Sequence, residues 1–395
     1  MKNTPLLVLT SLLILTLYSC NQSPANLDII KHGKNKEFHI RTYDIKDSLH
    51  IRMSDFANGF EFIRLESGKD YMISYGLKNY VNDEYFITEK FRGDIYQFGR
   101  DGRFIRKLVV KGKGPTEFVD AKWTVDDVNQ ILYLSDRAKN NYFLRFDLKT
   151  GNYLGDLKKA YPGRTYDIHY TENDILMVVP SGSYKDREYP DYIYYQDLDG
   201  NIQKSIPAPE GLNLLYNQLS YSYGDDQYRF GISNNDTIFS VFNNELIPYL
   251  TFDFGKPNPQ NRLEMGHIDV SIYKETSSWL WLEVGEVSEV TKNQYGEVID
   301  LASRMSHWAL DKKQGIAFNK GSLYIDPTHD KKGGWVFYCK NGWFVKPYDA
   351  LFLIEHAEKV LNDPDFIEPY RSKFKDLIGN LSPEDNPVLL VGKYK

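Results

Sequence analysis

Tyr96-Gln-Phe98-Gly-Arg-Asp-Gly102-Arg-Phe104-Ile105 reads as two short strands folded back on a tight turn. Aromatic and β-branched residues flank an Asp-Gly pair, and such a turn needs a residue that tolerates positive φ. The unit recurs as Leu144-Arg-Phe146-Asp-Leu-Lys-Thr-Gly151-Asn-Tyr153-Leu154 and as Tyr194-Tyr195-Gln-Asp-Leu-Asp-Gly200-Asn-Ile202. A weaker copy is Ile238-Phe239-Ser-Val-Phe242-Asn-Asn-Glu-Leu246. The turn glycines at 102, 151 and 200 are separated by two successive steps of 49. Upstream of the hairpins lie further strand-like runs at Tyr85–Ile87, Trp123–Val125, Ile131–Leu134, Tyr166–His169 and Ile175–Val179. Four strands in 40–50 residues make one β-propeller blade, and the stretch from Phe60 to Lys340 holds about six of them. The expected fold is therefore an all-β, six-bladed propeller of four-stranded antiparallel blades. A closed ring also removes the exposed edges that a long open meander would carry.

Blades five and six have weaker turn signals, with strand-like runs at His267–Tyr273, Trp279–Val284, Glu297–Leu301 and Trp335–Cys339. Over 347–379 the pattern changes to helical spacing. Ala350, Ile354, Ala357 and Leu361 share one face, and Phe366, Tyr370, Phe374 and Ile378 another, so two short helices are expected against the outside or one end of the ring. Residues 387–394 read as a strand. That strand, or Phe60–Leu65, is expected to complete a blade begun at the other end of the chain.

Composition bounds the function. The chain has 395 residues, 42% hydrophobic and 26% charged, with 48 basic against 54 acidic residues and a formal charge of −6. Without a dense basic face it lacks the means to displace counterions from a nucleic acid. Met1–Cys20 carries Lys2, an apolar run Leu6–Leu17 too short to span a bilayer, and then Tyr18-Ser19-Cys20. Residues 1–19 are thus expected to be a signal peptide. Leu17, two residues and Cys20 resemble a bacterial lipobox, which makes Cys20 the expected lipid attachment site and residues 20–35 the anchor and tether. The alternative is ordinary secretory cleavage that leaves an amino-terminal cysteine. The only other cysteine is Cys339, in an apolar run that suggests a buried, inert thiol, so no intramolecular disulfide is expected in the mature chain.

Ser54-Asp-Phe-Ala-Asn-Gly-Phe-Glu-Phe-Ile-Arg-Leu-Glu66 resembles the opening segment of the six-bladed β-propeller lipoproteins of Bacteroides-type bacteria. Gly112-Lys-Gly114-Pro115-Thr-Glu117-Phe118 resembles that family's Gly-x-Gly-Pro-Gly-Glu-aromatic loop, and Asp385-Asn386-Pro387-Val388-Leu389 its C-terminal strand. Thr116 stands where the family has Gly and Arg64 where it has Pro. The resemblance runs from about Ser54 to Lys395 and implies the fold and an envelope location. It carries no catalytic residues.

Gly112, Gly114, Pro115 and Glu117 lack the Lys-Ser/Thr ending of a phosphate-binding loop, and they read instead as a tight inter-blade turn in which glycine supplies unusual φ. The eight histidines never pair at metal-ligand spacing. The nearest cluster, Asp326-Pro-Thr-His329-Asp330, reads as a solvated loop. No metal, cofactor or catalytic residue is expected. In a four-stranded blade the second-to-third-strand loop and the blade-to-blade loop emerge on one face of the ring. That face should gather Glu89–Gly93, Asp136–Asn141, Ser181–Tyr189 and Ser233–Asp236 with the Gly112–Glu117 and Tyr161–Arg164 loops, while the other face receives short Asp-Gly turns. Arg92, Arg137 and Tyr184 are the candidate binding residues, since arginine clasps carboxylates and tyrosine stacks on sugar rings. The expected partner is a ligand such as a glycan or an envelope protein, with membrane contact through the lipid. The leading reading is a non-enzymatic binding module. A glycan-acting enzyme with paired carboxylates and a structural partner of an outer-membrane complex are the alternatives.

Overall fold

The middle strands of each blade are apolar on both faces because each blade is sandwiched between two others. In Ile131–Asp136, every residue after Ile131 is buried, and in Asp191–Gln196 all but one are. Outer strands such as Phe104–Val109 and Tyr153–Lys158 instead expose much of their length. These strands belong to a computed structural model that describes residues 27–32, 35–73, 76–90, 93–171, 176–180, 191–207, 217–222, 227–232, 236–242, 245–259, 263–331, 337–338 and 342–395.

The described strands form six sheets arranged as six propeller blades. The first blade is β5 (Gly76–Val81), β6 (Tyr85–Lys90), β7 (Ile95–Gly99) and β8 (Phe104–Val109). The second is β9 (Ala121–Asp126), β10 (Ile131–Asp136), β11 (Tyr142–Asp147) and β12 (Tyr153–Lys158), and the third β13 (Thr165–Tyr170), β14 (Leu176–Pro180), β15 (Asp191–Gln196) and β16 (Ile202–Pro207). The fourth is β17 (Asn217–Ser222), β18 (Gln227–Ile232), β19 (Thr237–Phe242) and β20 (Glu245–Asp253). The fifth is β21 (Ile268–Glu275), β22 (Trp279–Lys292), β23 (Val298–Asp311) and β24 (Ile316–Tyr324). The sixth mixes the two ends of the chain. β25 (Phe337–Tyr338), β26 (Trp343–Tyr348) and β27 (Val388–Tyr394) pair in order, and β4 (Ala57–Arg64) adds outside β27 in antiparallel register, Val388 opposite Arg64. Both terminal segments named from the sequence therefore close the same blade.

The preceding N-terminal segment continues around the rim. The hairpin of β1 (Leu27–His32) and β2 (Asn35–Arg41) adds to the fourth blade, β2 running parallel to β20, and β3 (Lys46–Arg52) adds parallel to β24 of the fifth. Two blades thus exceed four strands, and the expected tether over 20–35 overlaps β1. A one-turn helix α1 (Met53–Phe56) leads into β4. Between β26 and β27 stand α2 (Ala350–Leu361), N-capped by Asp349, and α3 (Tyr370–Ile378). Their buried residues are Ala350, Leu353 and Ala357 in α2 and Phe374 and Leu377 in α3, a face rotated slightly from the expected one.

Among the described residues, six apolar clusters sit one at each blade interface. The 49-residue turns seal these interfaces on one end of the ring. A Cβ added to Gly102 would fall 2.0 Å from the Arg64 carbonyl oxygen of β4, one added to Gly151 2.8 Å from the Arg106 side chain of β8, and one added to Gly200 3.0 Å from the Lys158 carbonyl of β12. Each turn thus rests on the outermost strand of the blade before it. All three glycines have positive φ, at 86°, 79° and 85°, so a side chain there meets both strain and backbone.

Candidate functional site

The opposite end carries the longer connections, and three of them are fastened together between the first and third blades. Asp136, at the end of β10, is buried and accepts hydrogen bonds from the Val119 and Asp120 amides at 3.1 and 3.2 Å. The Arg137 amide donates to the Asp120 carbonyl at 2.8 Å. On the other side the Lys159 and Gly163 amides donate to the Asn141 and Asn140 carbonyls, each at 2.9 Å. The loops over 110–120, 136–141 and 159–164 therefore share one face, as the alternation of connections requires.

The Gly112–Phe118 loop is a clip. Its ends are joined by a Gly112 amide to Phe118 carbonyl bond of 2.8 Å, and the Gly114 amide donates to Glu117 Oε2 at 2.8 Å. Lys139 Nζ donates to the carbonyls of Gly114, Pro115 and Glu117 at 3.2, 2.6 and 2.6 Å. Neither glycine has positive φ, which corrects the expected reason for them. A Cβ on Gly112 would instead lie 1.9 Å from Glu117 Oε2, and one on Gly114 3.0 Å from Glu117 Cδ. Glycine stands at both positions because the Glu117 side chain folds back over them. Sequence reasoning missed Lys139 and Asp136, since nothing in their local spacing shows that they reach across to the preceding loop.

Arg137 stands above this fastened framework. Its backbone is fixed, while its guanidinium is more than half exposed and lies 4.0 Å from Asp120, its one ion-pair partner among the described residues. On the same three loops and the start of β9, Lys111, Lys113, Lys122 and Arg164 are also exposed, against exposed Asp120 and half-buried Glu117. A cationic surface therefore lies on a protein whose overall charge is negative. Lys159 lies beneath, 1% exposed, with Nζ donating to the Gly163 carbonyl at 3.0 Å and placed 5.0 Å from the Phe143 ring centroid. Burial pushes its pKa down to about 8, with the Asp136 charge opposing. Arg92, Tyr184, Cys20 and Cys339 lie outside the described residues.

The Asp326–Asp330 segment is not a solvated loop. Asp326, Thr328 and His329 are at most 5% exposed. The Ser54 amide and hydroxyl both donate to the Asp326 carboxylate, Thr328 and Tyr348 share a hydroxyl hydrogen bond of 2.7 Å, and His329 Nδ1 meets the Tyr324 hydroxyl at 2.6 Å. His329 Nε2 lies 2.8 Å from Asp363, which the neighbouring Lys331 and His329 hold well below the usual carboxylate range. These residues tie the turn between α2 and α3 to the fifth and sixth blades. Among the described residues no group of three or more His, Cys, Asp or Glu is placed to hold a metal.

The chain is thus a closed six-bladed β-propeller with a braced loop face. The chain belongs to the family described as a domain of unknown function, DUF4934, which it matches over residues 37–393. It is similar to a protein of Bacteroides fragilis described as exported, at 16% identity and a TM-score of 0.61, covering 89% of this chain and 99% of that one. A member of the DUF4221 family from Bacteroides vulgatus aligns at 13% identity and a TM-score of 0.45, over 86% of this chain and 97% of that one. No curated protein matches the sequence.

Proposed function

We propose that this protein is an exported, lipid-anchored binding module whose loop face takes an acidic ligand, with a carboxylate-bearing glycan as the leading class. The observation that carries the reading is the exposed cationic cluster of Lys111, Lys113, Lys122, Arg137 and Arg164 on loops that are already fastened to one another. A preorganised surface loses little ordering entropy when it binds, and an arginine whose one carboxylate partner among the described residues is 4.0 Å away has donors for another. Export is supported by the signal-like residues 1–19 and by the description of the Bacteroides fragilis relative, and attachment by the lipobox-like ending at Cys20. No helix among the described residues is long and apolar enough to cross a membrane.

The test is a thermal-shift screen of the chain from Asn21 against matched acidic and neutral glycans. Ligand at about a hundred times its dissociation constant adds roughly 2.7 kcal/mol of stability. We expect acidic glycans to raise Tm and Arg137→Ala to abolish the shift without lowering the Tm of the free protein. No shift with any acidic glycan, or one that Arg137→Ala leaves intact, overturns the reading.

A further inference from the structure

β22 and β23 are each 14 residues long, against 8 and 9 for their neighbours β21 and β24. β21 accompanies β22 only as far as Glu286, and β24 accompanies β23 only over Trp308–Asp311. The Gly266–His267 backbone still flanks β22 at Val287, and beyond it the two strands pair with each other alone, from Glu289 opposite Ala302 to Lys292 opposite Val298. Because their connection joins the second and third strands of a blade, this arm rises from the loop face, by about 15 Å for four or five residues per strand. Tyr295 at its tip is 79% exposed, and Ile299 and Met305 along β23 are 63% and 52% exposed. Among the described residues no strand pairs with the outer side of β23 between Val298 and Ser306. That stretch, Val-Ile-Asp-Leu-Ala-Ser-Arg-Met-Ser, contains no lysine or proline, and its two charges, Asp300 and Arg304, are of opposite sign.

The edge is complementary to itself. We propose that the arms of two copies of this chain pair antiparallel along β23 about a twofold axis at Ala302. In that register Asp300 faces Arg304 of the second copy, Ile299 faces Met305 and Leu301 faces Ser303, and each contact occurs twice, as an isologous interface requires. The charges are opposite and the two most exposed apolar residues of the strand meet, both of which favour cross-strand pairing. A bulge leaves Ile299 opposite no residue of β22. Antiparallel pairing sends the two rings to opposite ends of the joined arms, and the tip turn of each arm then ends beside the Trp308–Asn319 pair of the other copy. The proposal is independent of the ligand assigned to the loop face.

Sedimentation of the chain from Asn21, which retains every described element, should show a reversible dimer. Arg304→Asp sets two like charges opposite each other and should weaken association roughly tenfold or more, and Asp300→Arg combined with Arg304→Asp should restore it. Ala302→Cys, on the axis, should form a disulfide-linked dimer on mild oxidation, because directly opposed residues of antiparallel strands lie within disulfide reach, whereas Val128→Cys on the other face should not. Should Arg304→Asp fail to fold, the cysteine pair decides. A monomer at every concentration with no Ala302→Cys cross-link overturns the proposal. So does a dimer indifferent to Arg304→Asp.

Discussion

Lys159 shows how a single buried charge leaves a signature in solution. Its folded-state pKa of about 8 lies below the ordinary value of 10.5, so between those values the unfolded chain holds the proton that the folded chain has released. Stability from this group therefore rises with pH from about 8 to about 10.5, and below pH 8 the charged form costs the fold about 3 kcal/mol. Unfolding of Lys159→Met beside the parent at pH 7 and pH 10 should show the parent gaining on the variant at the higher pH. A constant difference would mean that Lys159 titrates normally. A second buried cluster is more completely paired. Glu275 receives Arg229 Nε at 3.1 Å and Lys312 Nζ at 2.8 Å together with the Tyr249 hydroxyl, and the Arg229 guanidinium lies 3.6 Å from the Tyr249 ring centroid. Burial pushes the Glu275 carboxyl up, and the Arg229 and Lys312 charges outweigh it and hold the group below its usual range. None of these pairings was legible beforehand, because their partners are tens of residues apart. Arg64 carries the same lesson. Where the resembled family has proline, this arginine pairs with Asp385 at 3.0 Å, across the closure of the ring.

Among the elements, the hairpin turns were the most readable. An Asp-Gly or Thr-Gly pair between apolar residues depends on local backbone preference, and it placed the turns of the first three blades at 102, 151 and 200. What it did not reveal is that each turn also seals an interface. Gly102→Ala is expected to lower stability by roughly 2 kcal/mol or more, since it adds strain at positive φ to a collision with the Arg64 carbonyl. Calorimetry of this variant beside Gly296→Ala separates the two effects. Gly296 also has positive φ, but nothing lies within 4 Å of its added Cβ, so it should suffer the strain alone. Equal losses would show that the contact with Arg64 contributes nothing. The parallel additions of β2 and β3 gave no comparable signal, because a rim strand has no turn joining it to the strand it meets. The helices were read correctly as a pair, yet only their packing on Phe60, Phe62 and Phe344 fixed which residues turn inward.

For the molecule as a whole, the decisive fact is that its two ends meet in one sheet. Asn386, 1% exposed, accepts from the Ile73 amide at 2.6 Å and donates to the Glu66 and Tyr71 carbonyls at 2.6 and 3.1 Å, which fastens the last strand to the chain leaving β4. The first described strand starts at Leu27, so few residues separate the fold from Cys20. On the proposed lipid attachment, Cys20→Ala should abolish incorporation of labelled fatty acid and release the protein from the membrane fraction, with Tm unchanged because no described element is altered. A labelled or membrane-bound Cys20→Ala protein would overturn the proposed attachment at Cys20. By itself the sequence determined the strand-turn period, the approximate number of blades, the pair of helices and the candidate loops, because these follow from local backbone preferences and the spacing of apolar residues. Only the tertiary structure decided the contacts between blades, the rim path of the N-terminal strands, the burial of His329 and the free length of the β22–β23 arm. Those depend on which distant segments meet when the ring closes, and pairing across hundreds of residues leaves no trace in the residues next to either partner.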